Sequence, residues 1–220
     1  AKGESGGIHG LGRLIRALAA SSLPMVLTPG VVHLSSVPAY RKVNRVDMGT
    51  ADKVCAVALA VSEQASRRTC SAKDVSLILL ELGGAFSAVI AVDNGQIVDG
   101  IGGTSGPMGV RAAGAFDGEV AYLTGTITKE MLFQGGVAAV AGMRTSSLED
   151  LAASPAPRAR LAWDAFVESA VKAVASMAVS APGVSEVILS GRAVGIAPVR
   201  DALTARLSTV MERVTVQGLL

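Results

Sequence analysis

Aromatic side chains are scarce in this chain. Four Phe, two Tyr and one Trp amount to 3% of 220 residues, although half of all residues are apolar. A core must therefore be built from Ala, Val, Leu and Ile, which suits closely packed helices on a parallel or mixed sheet. Cysteine and histidine are equally sparse, with two of each. Cys55 and Cys70 lack metal-ligand spacing and read as buried or half-buried reduced thiols of a cytoplasmic protein. His9 and His33 have no acid/base or metal companions at a readable spacing. No Ser-His-Asp set, Cys/His metal cluster or Walker-type G-x-x-x-x-G-K is present, so no side-chain metal site is assigned. Twenty basic residues balance eighteen acidic ones for a net charge of +2, with no Lys/Arg block, which argues against nucleic acid as the main partner. No apolar run reaches the roughly 18 residues that cross a membrane. No charged and apolar leader opens the chain, so neither a membrane nor secretion is expected.

What the chain does have is concentrated between Leu77 and Gly109. Leu77 to Leu82 is apolar except for Glu81, as expected of a strand covered on both faces. Gly83-Gly84 breaks this run before a second apolar strand. Asp93-Asn94-Gly95 then supplies residues that tolerate positive φ, a strong hairpin signal. A third strand leads into the Gly/Ser/Thr loop from Gly103 to Gly109. Glycines at the first turn of such a meander leave backbone N–H groups open to a phosphate. A tight turn without a ligand explains Gly83-Gly84 as well.

Ahead of the meander, Leu11, Leu14, Ile15 and Leu18 follow a helical spacing, and Met25 to Leu27 reads as a short strand closed by Pro29-Gly30. Val31 to Pro38 is expected to be extended or loop. Thr50 is a good N-cap for an Ala/Val-rich helix reaching about Gln64, with Asp52 in its first turn. Beyond the meander, 114–123 is expected to hold a short strand and turn. Thr128 caps a helix to Phe133, and Val137 to Ala141 is a further apolar piece. Ser154-Pro155-Ala156-Pro157 precedes a long apolar helix from about Arg158 to Val179. Glu186 to Leu189 is a strand, Ser190-Gly191-Arg192 a loop, Val199 to Leu207 a helix and Val214 to Val216 a last strand. The order β-β-β, helices, β-α-β describes a ribonuclease-H-like α/β domain with a mixed sheet flanked by helices.

Four pieces, in order, resemble the superfamily of acetate and sugar kinases, Hsp70 and actin. Glu81-Leu82-Gly83-Gly84 resembles its second phosphate motif. Gly103-Thr104-Ser105-Gly106-Pro107-Met108-Gly109 with Arg111 is similar to the segment after the third strand in butyrate kinases. Gly135-Gly136-Val137 resembles their Gly-Gly turn, and Ile188-Leu189-Ser190-Gly191-Arg192 is similar to the adenosine motif. Val46-Asp47-Met48-Gly49-Thr50-Ala51-Asp52-Lys53 brings the chain nearer still to the predicted butyrate kinase family. The resemblance covers roughly residues 38–216. It implies an actin-like ATPase fold, ATP and Mg²⁺ as cofactors, a homodimer paired through this domain, and phosphoryl transfer to a small carboxylate or related metabolite.

The superfamily's N-terminal hairpin, with its early Asp and Gly/Ser/Thr turn, has no counterpart between Ala1 and Met25. Residues 1–48 are accordingly expected to be the remnant of an N-terminal actin-like domain with the interdomain segment. Residues 49–220 are expected to form the C-terminal nucleotide-binding domain.

Phosphoryl transfer needs backbone donors, a bridging metal and cations where charge gathers. Gly83, Gly84 and Ala85 are the candidate donors. Glu81 is either a buried carboxylate orienting a metal-bound water or an edge-exposed residue. Arg41, Arg45, Asp47, Asp52 and Lys53 are implied to face the interdomain cleft. Arg45 there would grip the transferred phosphoryl or a substrate carboxylate, and Asp52 would take a proton or position substrate. Helix capping and surface ion pairing account for the same residues equally well. Ser105 and Gly106 with Ser190, Gly191 and Arg192 complete the implied cofactor site, the last three under adenine, or else forming a plain strand-to-helix turn. A nucleotide-driven switch of the actin or Hsp70 type, and a non-catalytic scaffold, are the rival functions.

Overall fold

The computed structural model describes residues 11–142 and 147–217; His9 lies outside the described residues. Helix α1 spans Leu11–Ala19, following the spacing of its leucines. Met25 to Leu27 does not form the expected strand. Val26 is 95% exposed and no neighbouring strand accepts its backbone, so β-propensity alone has nothing to pair with. Val31–His33, within the stretch expected to be extended or loop, and Ala39–Lys42, just beyond it, are short 3₁₀ turns, and Val31, Val37 and Met48 in and around them are buried.

Helix α2 spans Ala51–Arg68, four residues beyond the expected end, and stops where Thr69 takes the left-handed conformation. Thr50 occupies the N-cap, but its hydroxyl donates to the Asp52 carboxylate and makes no cap bond to the helix backbone. Cys55 on this helix is exposed rather than buried, because the buried face runs through Val57, Ala60, Val61 and Gln64; Cys70 is half-buried.

The meander is β1 (Leu77–Leu82), β2 (Ser87–Asp93) and β3 (Gln96–Ile101). Asn94 (φ 50°) and Gly95 (φ 74°) make the two-residue hairpin turn, both in the left-handed region that such turns require. Four short helices follow: α3 (Gly118–Thr124), α4 (Lys129–Gln134), α5 (Val137–Ala141) and α6 (Leu148–Ala153). The expected strand within 114–123 is therefore a loop and a helix. Asp117 accepts from the Glu119 N–H and caps α3, a local signal that outweighs the β-branched and aromatic residues behind it. Helix α6 was not anticipated, although Ser147 and Asp150 form a reciprocal capping box. The long helix α7 (Pro157–Ala178) leads to β4 (Glu186–Ser190), α8 (Ala197–Leu207) and β5 (Arg213–Val216).

The sheet order is β3-β2-β1-β4-β5, with β1 antiparallel to β2 and β4 parallel to both β1 and β5. Alternation along β1 separates two cores. Ile78, Leu80 and Leu82 face α7 and α8, where Phe166, Val174 and Leu203 are buried. Leu77 and Leu79 face α2 with Val57, Ala60 and Met48. Each fully buried aliphatic side chain contributes roughly 1.5–3 kcal/mol. Among the described residues no helix is long and apolar enough to cross a membrane.

Residues 47–49 pass close beside the end of β3. A Cβ at Gly100 would overlap the Met48 carbonyl and stand 2.9 Å from the Ile90 methyl, whereas one at Gly118 would meet nothing within 4 Å. We expect Gly100→Ala to cost about 3 kcal/mol through overpacking. Gly118→Ala should be neutral or stabilising by up to about 1 kcal/mol. Urea unfolding of the two variants checks this, and equal stabilities would contradict the close packing of 47–49 on β3.

Candidate functional site

Four backbone segments meet at the carboxyl end of β1 and β4. The parallel register sets Glu81 beside Ser190. Beyond them the chain turns at Gly191, which has φ 94° and lies so close on the Leu82 backbone that no Cβ fits. Glycine is required there on both counts. The β1–β2 connection, 83–86, faces this turn: a Cβ built on Gly84 would be 3.9 Å from the Arg192 side chain. The third segment, 106–112, is tied to the connection because the Ala85 carbonyl accepts from the N–H groups of Arg111 (3.1 Å) and Ala112 (3.0 Å). The fourth is 47–53. The Ser105 hydroxyl donates toward the Asp47 carbonyl (3.1 Å) and the Gly102 carbonyl (3.1 Å), and a Cβ on Gly103 would overlap the Asp47 carboxylate.

The three glycine-turn residues are not equivalent. The Gly83 N–H is spent on the Phe86 carbonyl at 2.9 Å, closing the turn, and a Cβ there would crowd that same oxygen at 2.9 Å. Gly84 and Ala85 N–H donate to no group among the described residues. Gly84 is exposed, has no positive φ and meets no close neighbour, so the turn itself does not demand glycine there. Gly106 is a packing residue, buried between Gly102 and the Ser87 carbonyl.

Lys53, in the first turn of α2, joins the ion cluster of the site. Its Nζ lies 2.8 Å from Asp52 Oδ2 and 3.0 Å from Glu81 Oε2. Glu81 is thus neither edge-exposed nor free: its side chain is 12% exposed, and Oε2, though within ion-pair reach, lacks an aligned hydrogen bond. Burial outweighs the pull of Lys53 and raises the Glu81 pKa above its ordinary value. For Lys53, burial opposes the charge, but the hydrogen bond to Asp52 and the attraction of Glu81 prevail and raise its pKa. For Asp52, partial burial is overcome by the hydrogen bonds from Lys53 and Thr50, and its pKa is lowered. The directions agree on an ionised Lys53–Asp52 pair with Glu81 as the strained member.

Neither arginine of 41–45 joins the Lys53 cluster. Arg41 donates to the Val98 carbonyl at 2.8 Å and sits 3.7 Å from Asp99, which in turn accepts from the Ser180 hydroxyl at 2.6 Å. It clamps the β3 edge to the end of α7 and does not join the Lys53 cluster. Arg45 is exposed on a turn two residues before Asp47 and makes no ion pair among the described residues. Asp47 caps its own turn by accepting from the Gly49 N–H at 2.8 Å. Arg192 and Ser190 are, respectively, exposed and half-buried.

The sequence reading missed one further feature, a cavity of about 850 Å³ lined by Arg111, Arg158 and residues of α4 and α5. Arg111 follows the Gly103–Gly109 motif, which by itself assigns it no role. Arg158 carries no sequence signal, since its acceptors, the carbonyls of Val140 and Ala139, are almost twenty residues away.

A mixed five-stranded sheet in this order, flanked by helices, with glycine turns at the ends of β1 and β4, defines an actin-like ATPase fold of the acetate kinase kind. The chain is similar in structure to an acetate kinase from Entamoeba histolytica (16% identity, TM-score 0.60, 70% of this chain and 44% of that one). It is also similar to the Porphyromonas gingivalis acetate kinase (20% identity, TM-score 0.58, 68% and 41%). A propionate kinase from Francisella tularensis subsp. tularensis SCHU S4 matches at 19% identity and a TM-score of 0.62, over 86% of this chain and 50% of that one. The chain therefore spans half or less of the length of these enzymes, and the likeness is one of fold. No curated protein matches the chain in sequence. Its residues 1–218 match the model of the family described as Protein of unknown function (DUF1464), and the chain belongs to that family.

The strained carboxylate gives a pH prediction. A group whose folded pKa is raised contributes stability that is full below its unfolded value and is lost as pH rises through the folded one. Wild type should therefore lose thermal stability relative to Glu81→Gln between pH 4 and pH 7. Melting both proteins at the two pH values checks the sign; a shift in favour of wild type would mean that Lys53 outweighs burial.

Proposed function

We propose that this chain supplies the nucleotide site of an ATP-dependent phosphotransferase of the acetate and butyrate kinase type, with a small carboxylate as acceptor. Gly84 carries the reading. It is a glycine that its own turn does not need, with an undonated N–H, at the place where four segments converge. Absence of a side chain there leaves room for a ligand to approach the backbone. Two adjacent free N–H groups, on Gly84 and Ala85, suit phosphate oxygens.

In this reading the N–H groups of Gly84 and Ala85 bind phosphate, and Ser190, Gly191 and Arg192 lie under the adenosine. Lys53 is held by Asp52 and Glu81 where positive charge can offset that of a transferred phosphoryl group. In the same reading Arg45, exposed two residues before Asp47, would meet the phosphoryl group or the acceptor. Arg41 serves the fold instead. Mg²⁺ neutralises phosphate charge in such reactions. The described residues contain no group of three His, Cys, Asp or Glu side chains that would cage an ion, which suits one carried mainly by the nucleotide's phosphates.

Calorimetry with Mg²⁺-ATP tests this directly. Gly84→Ala is expected to melt like wild type, because a Cβ there meets nothing nearer than 3.9 Å, yet to bind ATP at least tenfold more weakly. That factor is about 1.4 kcal/mol. Equal affinities would remove the phosphate role of this turn. ATP consumption in proportion to an added carboxylate identifies a kinase, whereas slow hydrolysis indifferent to acceptors would indicate a nucleotide-driven switch.

Lys53→Ala is expected to lower phosphoryl transfer by 10²-fold or more while ATP affinity changes little, as for a cation that acts mainly in the transition state. Steady-state kinetics with calorimetry on the same variant distinguishes this from loss of binding.

A further inference from the structure

The cavity beside the glycine turn is lined by two arginines that the nucleotide site does not use. Arg111 and Arg158 both line it, with Thr128 and Gln134, and Glu130 is the one carboxylate among its lining residues. The two arginines are rooted at opposite ends of α5. At the first end, the Arg111 carbonyl accepts from the Gly136 N–H at 2.7 Å. At the last, Arg158 donates through Nε and Nη2 to the carbonyls of Val140 and Ala139, which fixes its side chain against the helix. Three to four residues separate these anchor points, about 5 Å along the helix axis.

The cavity also adjoins the proposed phosphate turn. The N–H groups of Arg111 and Ala112 bind the Ala85 carbonyl, and the Phe86 ring packs edge-on against Phe133 of α4 with centroids 5.0 Å apart. The wall that carries Arg111 is therefore part of the same rigid assembly as Gly84 and Ala85.

We propose that this cavity binds a short dicarboxylate, with one carboxylate on Arg111 beside the phosphate turn and the other on Arg158. Planar guanidinium groups grip carboxylates through paired hydrogen bonds, and two such groups across one cavity select for two anionic ends. A volume of about 850 Å³ is on the scale of sites for whole metabolites, so a short dicarboxylate fits within it, and the choice of two anionic ends rests on the two arginines. The role of this ligand as phosphoryl acceptor rests on the phosphotransferase reading above. In that role, an oxygen of the carboxylate on Arg111 forms the new bond to the terminal phosphorus. The bond from that phosphorus to the bridging oxygen breaks, and ADP leaves with the electron pair. No proton transfer is required.

The test uses glutarate and acetate as probes, with backbone amide NMR of the whole chain and no nucleotide present. Glutarate is expected to give saturable shifts at Gly135, Ala138 and Gly142, and acetate to bind at least tenfold more weakly. Arg111→Gln keeps the backbone bonds of its residue, and Arg158→Lys keeps the charge at the end of α5. Each should weaken glutarate at least tenfold in a protein that still melts cooperatively. Absence of saturable shifts, equal affinity for acetate, or unchanged affinity in Arg111→Gln would overturn the site. Glutarate binding in a chain that does not bind ATP would keep the site and remove its role as acceptor. ATP binding without glutarate binding would remove the dicarboxylate site and leave the nucleotide site standing.

Discussion

Strand β1 is hydrogen-bonded along both edges, antiparallel to β2 and parallel to β4, and buried on both faces. That position leaves its side chains no choice: even-numbered residues pack under α7 and α8, odd-numbered ones under α2. Glu81 falls in the odd series, so its carboxylate is delivered to the first turn of α2, where Lys53 waits. The parallel pairing with β4 places the ends of both strands side by side, and with them the turns at Gly84 and Gly191. A one-residue slip in β1 would send Glu81 to the opposite face and dissolve the site.

Around this strand the loops approach at backbone distance. Segment 47–49 presses on Gly100 and Gly103, and Gly109 and Gly136 each sit where a Cβ would overlap a neighbouring carbonyl. These contacts let four segments converge in a small space without large side chains, which a chain so poor in aromatics could not otherwise fill. Gly84 stands apart from these because, among the described residues, the nearest atom to a Cβ built there is on the Arg192 side chain at 3.9 Å. Most glycines near the site are spent on the fold, and this one is available to a ligand.

Two ionic groupings on opposite sides of the sheet have different characters. Arg41 with Asp99 and Ser180 is well supplied with hydrogen bonds and ties β3 to the end of α7. Glu81 has an ion-pair partner but an incomplete hydrogen-bond shell, so burial dominates its ionisation. Removing a buried charge from water is repaid only when its remaining lone pairs are satisfied. The first grouping holds the fold together, and the second keeps an under-satisfied carboxylate at the edge of the candidate site.

Local chemistry was enough to read much of this from the sequence. The apolar run of β1, the Asn94-Gly95 turn, the helix after Pro157 and the order of strands all follow from periodicity and turn residues, and they sufficed for the fold class. Where local signals competed, the reading failed. Met25 to Leu27 had strand-forming residues but no partner, and 114–123 had a cap at Asp117 that overrode them. The resemblance sets Arg41, Arg45, Asp47, Asp52 and Lys53 together on one cleft, but sequence spacing says nothing about which edge of a sheet each group reaches. Tertiary structure alone sent Arg41 to Asp99 and Lys53 to Glu81, and set Arg111 and Arg158 on one cavity. Such pairings depend on contacts between residues far apart in the chain, and no local preference encodes them.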